Sequence, residues 1–274
     1  MIQPFVDADF IREHPNAVVA DVRWYLDGRD GRAAFEAGHI PGAVWVDLEH
    51  QLAGEGRPDT EGRHPFPTPD AFAASMGSLG ISNDTVVVAY DDTGGLTAGR
   101  LAVMLRMLGC DAAVLVGGLG AWPGTVETGP ARRPDEVQFR PVEWPADRLA
   151  DANDVERIIT AGGAAIDARS HERFVGEVVQ IDKRPGHIPG ARSAPWSDVL
   201  DDTATPLSPD ALRRHYAEIG VDEAHDVVAY CGSGVSACMN VLAMEHAGLR
   251  VPRLYVASWS GWSADPHRAA AVGD

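Results

Sequence analysis

Short continuous apolar runs alternate along the chain with longer stretches in which apolar residues return every three or four positions. Ala17-Val-Val-Ala20, Val86-Val-Val-Ala89, Val114-Leu-Val116, Ala164-Ala-Ile166 and Val227-Val-Ala-Tyr230 are of strand length and show no polar alternation, the pattern of strands buried on both faces of a parallel sheet. Helices are predicted between them. Ser208 precedes Pro209 as an N-cap precedes a first-turn proline, Leu212, His215, Tyr216 and Ile219 then share one helical face, and Gly220 ends it. The stretch from Thr68 to Gly80 repeats this arrangement. Such alternation predicts an α/β fold with mostly parallel sheets flanked by helices, whose ligand site lies at the carboxyl ends of the strands. Two loops stand there, Asp91–Ala98 and Cys231–Ala237.

The pattern is written twice. Asp21-Val-Arg23 recurs as Asp167-Ala-Arg169, Gly38-His-Ile-Pro-Gly-Ala43 as Gly186-His-Ile-Pro-Gly-Ala191, and Thr68-Pro-Asp70 as Ser208-Pro-Asp210. From there the offset is 140 residues through Val87–Tyr90 against Val227–Tyr230, slips by one after the next loop, and returns to 140 at Trp122 against Trp262. A chain of 274 residues with 45% hydrophobic content can bury two cores of about 100–150 residues each, so two tandem copies of one fold are expected. Pro123 to Pro145, rich in Pro, Gly and charge and including Arg132-Arg133-Pro134, reads as the connector. The copies are assigned to residues 1–135 and 136–274.

Charge narrows the function classes. With 23 basic against 40 acidic residues and a net charge of −17, no cationic surface is expected that would neutralise phosphates or anionic lipid, so neither nucleic acid nor membrane is an expected partner. No apolar run reaches the roughly 18–20 residues of a spanning helix, and the start MIQPFVDADF lacks the order of a signal peptide. A cytoplasmic location is expected. Cys110, Cys231 and Cys238 are too few and too unevenly spaced for a disulfide framework. The ten histidines and three cysteines show no metal-ligand spacing, and Gly117-Gly-Leu-Gly120 lacks the spaced glycines of a dinucleotide loop. Neither a metal nor a cofactor is expected.

Chemistry concentrates in the second loop. An apolar strand ends at Tyr230, Cys231-Gly-Ser-Gly-Val-Ser-Ala237 follows, and a helical pattern begins at Cys238. A cysteine at a strand end before a glycine-containing turn into a helix sits where backbone N–H groups and the positive helix end converge on its sulfur. Gly232 and Gly234 allow a tight cradle, and Ser233 and Ser236 add hydroxyl donors. Cys110 and Cys238 read as small packed hydrophobes. His39 and His187 read as turn residues, because the same histidine occurs in the copy without a cysteine. Arg169 and Arg192 read as structural ion pairs or solvated charges.

At these residues the sequence resembles the tandem-domain rhodanese family, and within it the 3-mercaptopyruvate sulfurtransferases, whose active loop reads Cys-Gly-Ser/Thr-Gly-Val-Thr/Ser. Phe35-Glu-Ala-Gly-His-Ile-Pro-Gly-Ala43, Asp167-Ala-Arg169, Arg173-Phe174, Gly186–Ala191 and Ser258-Trp-Ser-Gly-Trp262 carry the likeness over almost the whole chain. The resemblance implies a catalytic second half and a first half in which Asp91 stands for the cysteine, in a loop one residue longer. It implies sulfur transfer from 3-mercaptopyruvate to a thiol or cyanide acceptor through a Cys231 persulfide held by Gly232, Ser233, Gly234, Val235 and Ser236. Arg173 matches a substrate-binding arginine; Arg184, or its neighbour Lys183, is the candidate second cation. His64 resembles a family histidine that polarises the loop serine, with Asp59 as companion. Gly232 and Ser233 replace the cationic pair of thiosulfate-preferring relatives, so thiosulfate is the second donor considered, and a non-enzymatic sulfur-sensing module the third reading. A Cys-x₅-Arg phosphatase is excluded by Ala237, six residues after Cys231.

Overall fold

The computed structural model describes residues 1–131, 134–179, 181–221 and 225–274; Arg132 and Arg133, assigned above to the connector, lie outside the described residues. The chain forms two compact units. One comprises Met1–Glu55, Phe66–Trp144 and Asp202–Thr205, the other Gly56–Pro65, Pro145–Asp201 and Pro206–Asp274.

In the first unit five strands, β1 (Phe5–Val6), β2 (Val18–Asp21), β3 (Val44–Trp45), β4 (Val87–Tyr90) and β5 (Ala112–Leu115), form a sheet of order β1-β5-β4-β2-β3. In the second, β6 (Leu149–Ala150), β7 (Ala164–Asp167), β8 (Arg192–Ser193), β9 (Val227–Tyr230) and β10 (Arg253–Tyr255) form a sheet of order β6-β10-β9-β7-β8. All pairings are parallel, and Asp21 faces Tyr90 across one sheet as Asp167 faces Tyr230 across the other. β4 and β9 sit centrally and are buried along their whole length, which accounts for their unbroken apolar sequence. The first core closes around Phe35, Ile40, Val88 and Tyr90, the second around Ile188, Val228, Tyr230, Trp259 and Trp262.

The repeated motifs serve the same packing in each unit. Arg23 grips Asp21 and donates to the Gly38 carbonyl at 2.7 Å, and Arg169 grips Asp167 and donates to the Gly186 carbonyl at 2.8 Å. His39 stacks on Phe35 and His187 on Phe174, each with Nδ1 at 2.9 Å from a main-chain oxygen, so both histidines lock a turn. Thr68 and Ser208 cap the helices Pro69–Ser78 and Pro209–Glu218, accepting from Ala71 N and Ala211 N. Gly80 and Gly220 follow at φ +73 and +75, the left-handed geometry that stops a helix. Arg192 donates to the Ile219 carbonyl beyond the second of these helices, a structural use of its charge. Among the described residues no helix is long and apolar enough to cross a membrane.

Candidate active site

Cys231 follows the last residue of β9, and the helix Ala237–His246 begins six residues later. The intervening turn is held from several sides. Gly234 has φ +74, and a Cβ there would lie 2.6 Å from the Val256 carbonyl oxygen, so only glycine fits. Cys238 donates its thiol to the Gly234 carbonyl at 3.5 Å, which explains a cysteine in the first helical turn without a redox role. The segment Ser258–Trp262 clamps the loop backbone: Trp259 N donates to the Cys231 carbonyl and Ser260 N to the Gly232 carbonyl, both at 2.9 Å, while Ser258 Oγ accepts from Cys231 N at 3.1 Å. Ser258 holds φ +53, a left-handed backbone that a non-glycine residue adopts only where its surroundings compel it.

Cys231 is 1% exposed. Burial pushes its thiol up, but hydrogen bonds from the Ser236 hydroxyl and from the amides of Ala237 and Ser233 outweigh burial and hold it below its ordinary value. The sulfur is therefore buried in a ring of donors that favour its thiolate form. Ser233 Oγ lies 2.8 Å from His64 Nδ1, and both side chains are buried. Cys110, by contrast, is pushed up to about 11 by burial and by the nearby Asp84 and Asp111.

Cations surround the residue after the cysteine. A Cβ at position 232 would lie 3.0 Å from Arg63 Nη2 and 3.1 Å from Arg173 Nη2. Both guanidiniums are tied to Asp182, Arg63 Nη1 at 2.9 Å from one oxygen and Arg173 Nη2 against the other. Arg173 thus stands beside the loop. Arg184 does not: its guanidinium donates to the carbonyls of Trp262, Ser263, Asp265 and Arg268, closing the end of the helix Ser258–Ala264. Its assignment as the second substrate-binding cation is corrected by this geometry, since a guanidinium shared among four main-chain oxygens is already committed. Lys183 pairs with Asp59 instead, and that pair borders an open cleft of about 180 Å³ whose wall includes Arg63 and Ser260. The loop itself carries no cation at positions 232 and 233, but two arginines from elsewhere in the same unit, Arg63 and Arg173, stand beside Gly232.

Arg63 and Asp182 escaped the reading of the sequence. Arg63 was visible as the neighbour of His64 in Gly62-Arg-His-Pro65, and Asp182 as an acid nine residues after Arg173, but nothing in their spacing announces that they meet. In the first unit the equivalent loop holds Asp91, 1% exposed. Its carboxylate accepts from the amides of Thr93, Gly95, Thr97 and Ala98 and from the Thr97 hydroxyl, at 2.8–3.0 Å. Among the described residues no group of three or more His, Cys, Asp or Glu side chains is placed to hold a metal ion.

Residues 8–124 and 151–265 each match the rhodanese-like domain. The chain is similar to a probable 3-mercaptopyruvate sulfurtransferase of Pseudomonas aeruginosa, 40% identical over 272 residues that cover 95% of this chain and 94% of that one. It is also similar to a putative thiosulfate sulfurtransferase, SseB, of Mycobacterium tuberculosis, 38% identical over 93% of this chain and 90% of the relative. Among solved structures, SseA from Escherichia coli superposes with a TM-score of 0.83 at 30% identity, covering 94% of this chain and 99% of that one. The 3-mercaptopyruvate sulfurtransferase from Leishmania major superposes with a TM-score of 0.84 at 30% identity, covering 96% of this chain and 74% of that one.

Proposed function

The chain belongs to the rhodanese-like family, and from that premise we propose that it is a sulfurtransferase moving sulfur from 3-mercaptopyruvate to a thiol or cyanide acceptor through a persulfide on Cys231. The observation that carries this reading is the buried Cys231 thiol, held toward its charged form by the loop and flanked by Arg173 and Arg63 at Gly232. Anionic donors need such cations locally, because the net charge of −17 repels them everywhere else.

The reaction runs in two displacements. The Cys231 thiolate attacks the donor sulfur, a new S–S bond forms, the carbon–sulfur bond breaks, and its electron pair leaves on the pyruvate enolate, which takes up a proton. Ser233, hydrogen-bonded to His64, is the proton-bearing group we assign to that step, with the imidazole holding the hydroxyl in place. The outer sulfur of the persulfide then lies in the ring formed by Gly232, Ser233, Gly234, Val235 and Ser236, whose donors stabilise its negative charge. An acceptor thiolate attacks that sulfur, the S–S bond breaks, and the Cys231 thiolate returns. Arg173 binds the donor carboxylate. We assign catalysis to residues 136–274 with His64 supplied from the segment Gly56–Pro65; in residues 1–135 Asp91 stands in the place of the catalytic cysteine. Three free cysteines suit a reducing cytoplasm, and the acidic balance leaves nucleic acid and membrane without a binding surface.

Thiosulfate is the second donor reading, favoured by the two guanidiniums beside Gly232. The test is mass measurement of the purified protein after incubation with each donor alone. A gain of one sulfur atom that is lost on adding cyanide, and that is absent in Cys231→Ser, is the expected result; no adduct with either donor refutes the reading.

A further inference from the structure

Asp182 is a carboxylate shared by three guanidiniums. It is 3% exposed, with Arg63 Nη1 at 2.9 Å from Oδ1, Arg173 Nη2 on Oδ2, and Arg169 Nη1 at 3.6 Å from Oδ2. Arg169 is itself committed to Asp167 through Nε and Nη2. Burial pushes the Asp182 carboxyl up, but Arg173 and then Arg63 outweigh it and keep it ionised below its ordinary range. Three arginines against two aspartates leave this cluster with a single formal positive charge.

The cluster is also unfinished. Arg63 Nε and Arg173 Nε are buried and meet no acceptor among the described residues, although buried donors are almost always satisfied. Both guanidiniums approach the same spot at Gly232, directly after the nucleophile. Two unsatisfied charged donors beside a reactive thiolate are what a bound anion completes.

We propose that Asp182 sets the charge of the sulfur donor this site takes: by cancelling one of the two guanidiniums at Gly232 it fits the site to a monoanionic carboxylate, with Arg63 as the second anion-binding cation. This rests on the sulfurtransferase reading above. A singly charged donor brings the cluster to neutrality. A dianion leaves one uncompensated negative charge in a buried place, which is costly. Arg63 and Arg173 touch the donor; Asp182 acts through them as a positioning residue.

The experiment compares 3-mercaptopyruvate and thiosulfate with cyanide as acceptor, on the full chain and on Asp182→Asn, Asp182→Glu, Arg63→Ala and Arg63→Lys. Wild type is expected to have the higher kcat/KM with 3-mercaptopyruvate. Asp182→Asn, which adds one net positive charge at nearly constant shape, is expected to shift the ratio about tenfold toward thiosulfate, chiefly through KM, since about one decade is a modest fraction of a close charge pair. Asp182→Glu should return the ratio close to wild type, a rescue that loss of packing alone would not give. Arg63→Ala should cost thiosulfate more than 3-mercaptopyruvate, and Arg63→Lys should recover part of both. An unchanged donor ratio in Asp182→Asn overturns the inference; should that variant fail to fold, equal losses for the two donors in Arg63→Ala overturn it. Calorimetric binding of pyruvate and sulfate to the wild-type protein separates this inference from the activity: sulfate binding as tightly as pyruvate removes charge selection, whereas absence of turnover with pyruvate still preferred removes only the sulfurtransferase reading.

Discussion

Asp91 and Cys231 follow equivalent central strands and enter equivalent turns, yet the two loops treat negative charge differently. In the first unit the anion is built in: one carboxylate takes four amides and one hydroxyl. In the second a single sulfur is tethered, drawn toward its thiolate form by the Ser236 hydroxyl and the Ala237 and Ser233 amides. The parallel extends behind the loops. Leu119 N donates to the Asp91 carbonyl at 2.9 Å as Trp259 N donates to the Cys231 carbonyl at the same distance. A strand-to-helix turn of this kind is a general device for holding an anion; whether it does chemistry depends on what is tethered in it. A carboxylate satisfies the cradle and stops there, whereas a thiolate satisfies it and remains a nucleophile and a leaving group.

Exchanging the tethered anion is the most severe way to break the comparison. Cys231→Asp should abolish sulfur transfer completely while the protein stays folded, because its cradle accepts a carboxylate as the other one does; initial rates with either donor and thermal melting measure the two halves of that expectation. Asp91→Cys should gain no activity, since the arginines that stand beside Gly232 belong to the second unit. It should destabilise the protein by roughly 3 kcal/mol or more, because one sulfur cannot replace two oxygens and several buried donors lose a charged acceptor. A first unit that became an active sulfurtransferase on this one change would refute the view that loop and cation cluster are both required.

Removing His64 should cost less. His64→Ala leaves the nucleophile and the arginines in place but frees Ser233 from its partner at 2.8 Å. Losing a positioned proton-bearing group is worth about 10²-fold in kcat, with KM for the donor little changed. Equal kcat in wild type and variant across pH would show that the serine needs no orientation.

How much of this was legible in the sequence follows from the range over which each signal acts. Cys231, its glycines and its serines are contiguous, and the cradle is local geometry, so the loop could be read directly. The doubling of the fold was equally plain, because Gly-His-Ile-Pro-Gly and Asp-x-Arg recur intact. The two-residue strands β1, β3, β6 and β8 carry no periodicity and could not be read. Arg63 and Asp182 lie 119 positions apart, and their pairing is a product of the tertiary fold. Arg184 was assigned by likeness and proximity to Arg173, but a charge near a site in sequence turned out to be the cap of a helix end.

The pH response separates the cysteines more finely. Cys231 is held below the ordinary thiol value and Cys110 is pushed up to about 11. The sign is fixed by which form reacts. Thiolate fraction rises through the pKa, so Cys231 should alkylate with iodoacetamide at pH 7 with an inflection below the roughly 8.5 of a free cysteine, while Cys110 stays protonated and unreactive there. Mass mapping of the alkylated peptides across pH checks this. A Cys231 rate that begins to climb only above pH 8.5 would mean that burial, not the ring of donors, prevails.

The smallest expected effect tests the residue behind the loop. Gly118 holds φ +55 in the first unit, where a Cβ would lie 2.1 Å from the Asp91 carbonyl oxygen, and the residue 140 positions later is Ser258 at φ +53. The second unit therefore bears a backbone strain that the first avoids, of order 1 kcal/mol for a side chain in the left-handed region. What it receives in return is a hydroxyl that accepts from Cys231 N at 3.1 Å and donates to the Tyr255 carbonyl at 2.9 Å. Ser258→Ala keeps the strain and loses these hydrogen bonds together with the weak one from the hydroxyl to the Cys231 sulfur at 4.0 Å; Ser258→Gly loses the same hydrogen bonds and the strain. The glycine variant should therefore be the more stable of the two by about 1 kcal/mol, the reverse of the usual preference for alanine over glycine in a helix. Both should be slower than wild type to a similar degree, because the Cys231 amide has lost its partner in each. Denaturant midpoints and initial rates on the pair decide it: an alanine variant as stable as the glycine one would show that position 258 carries no strain.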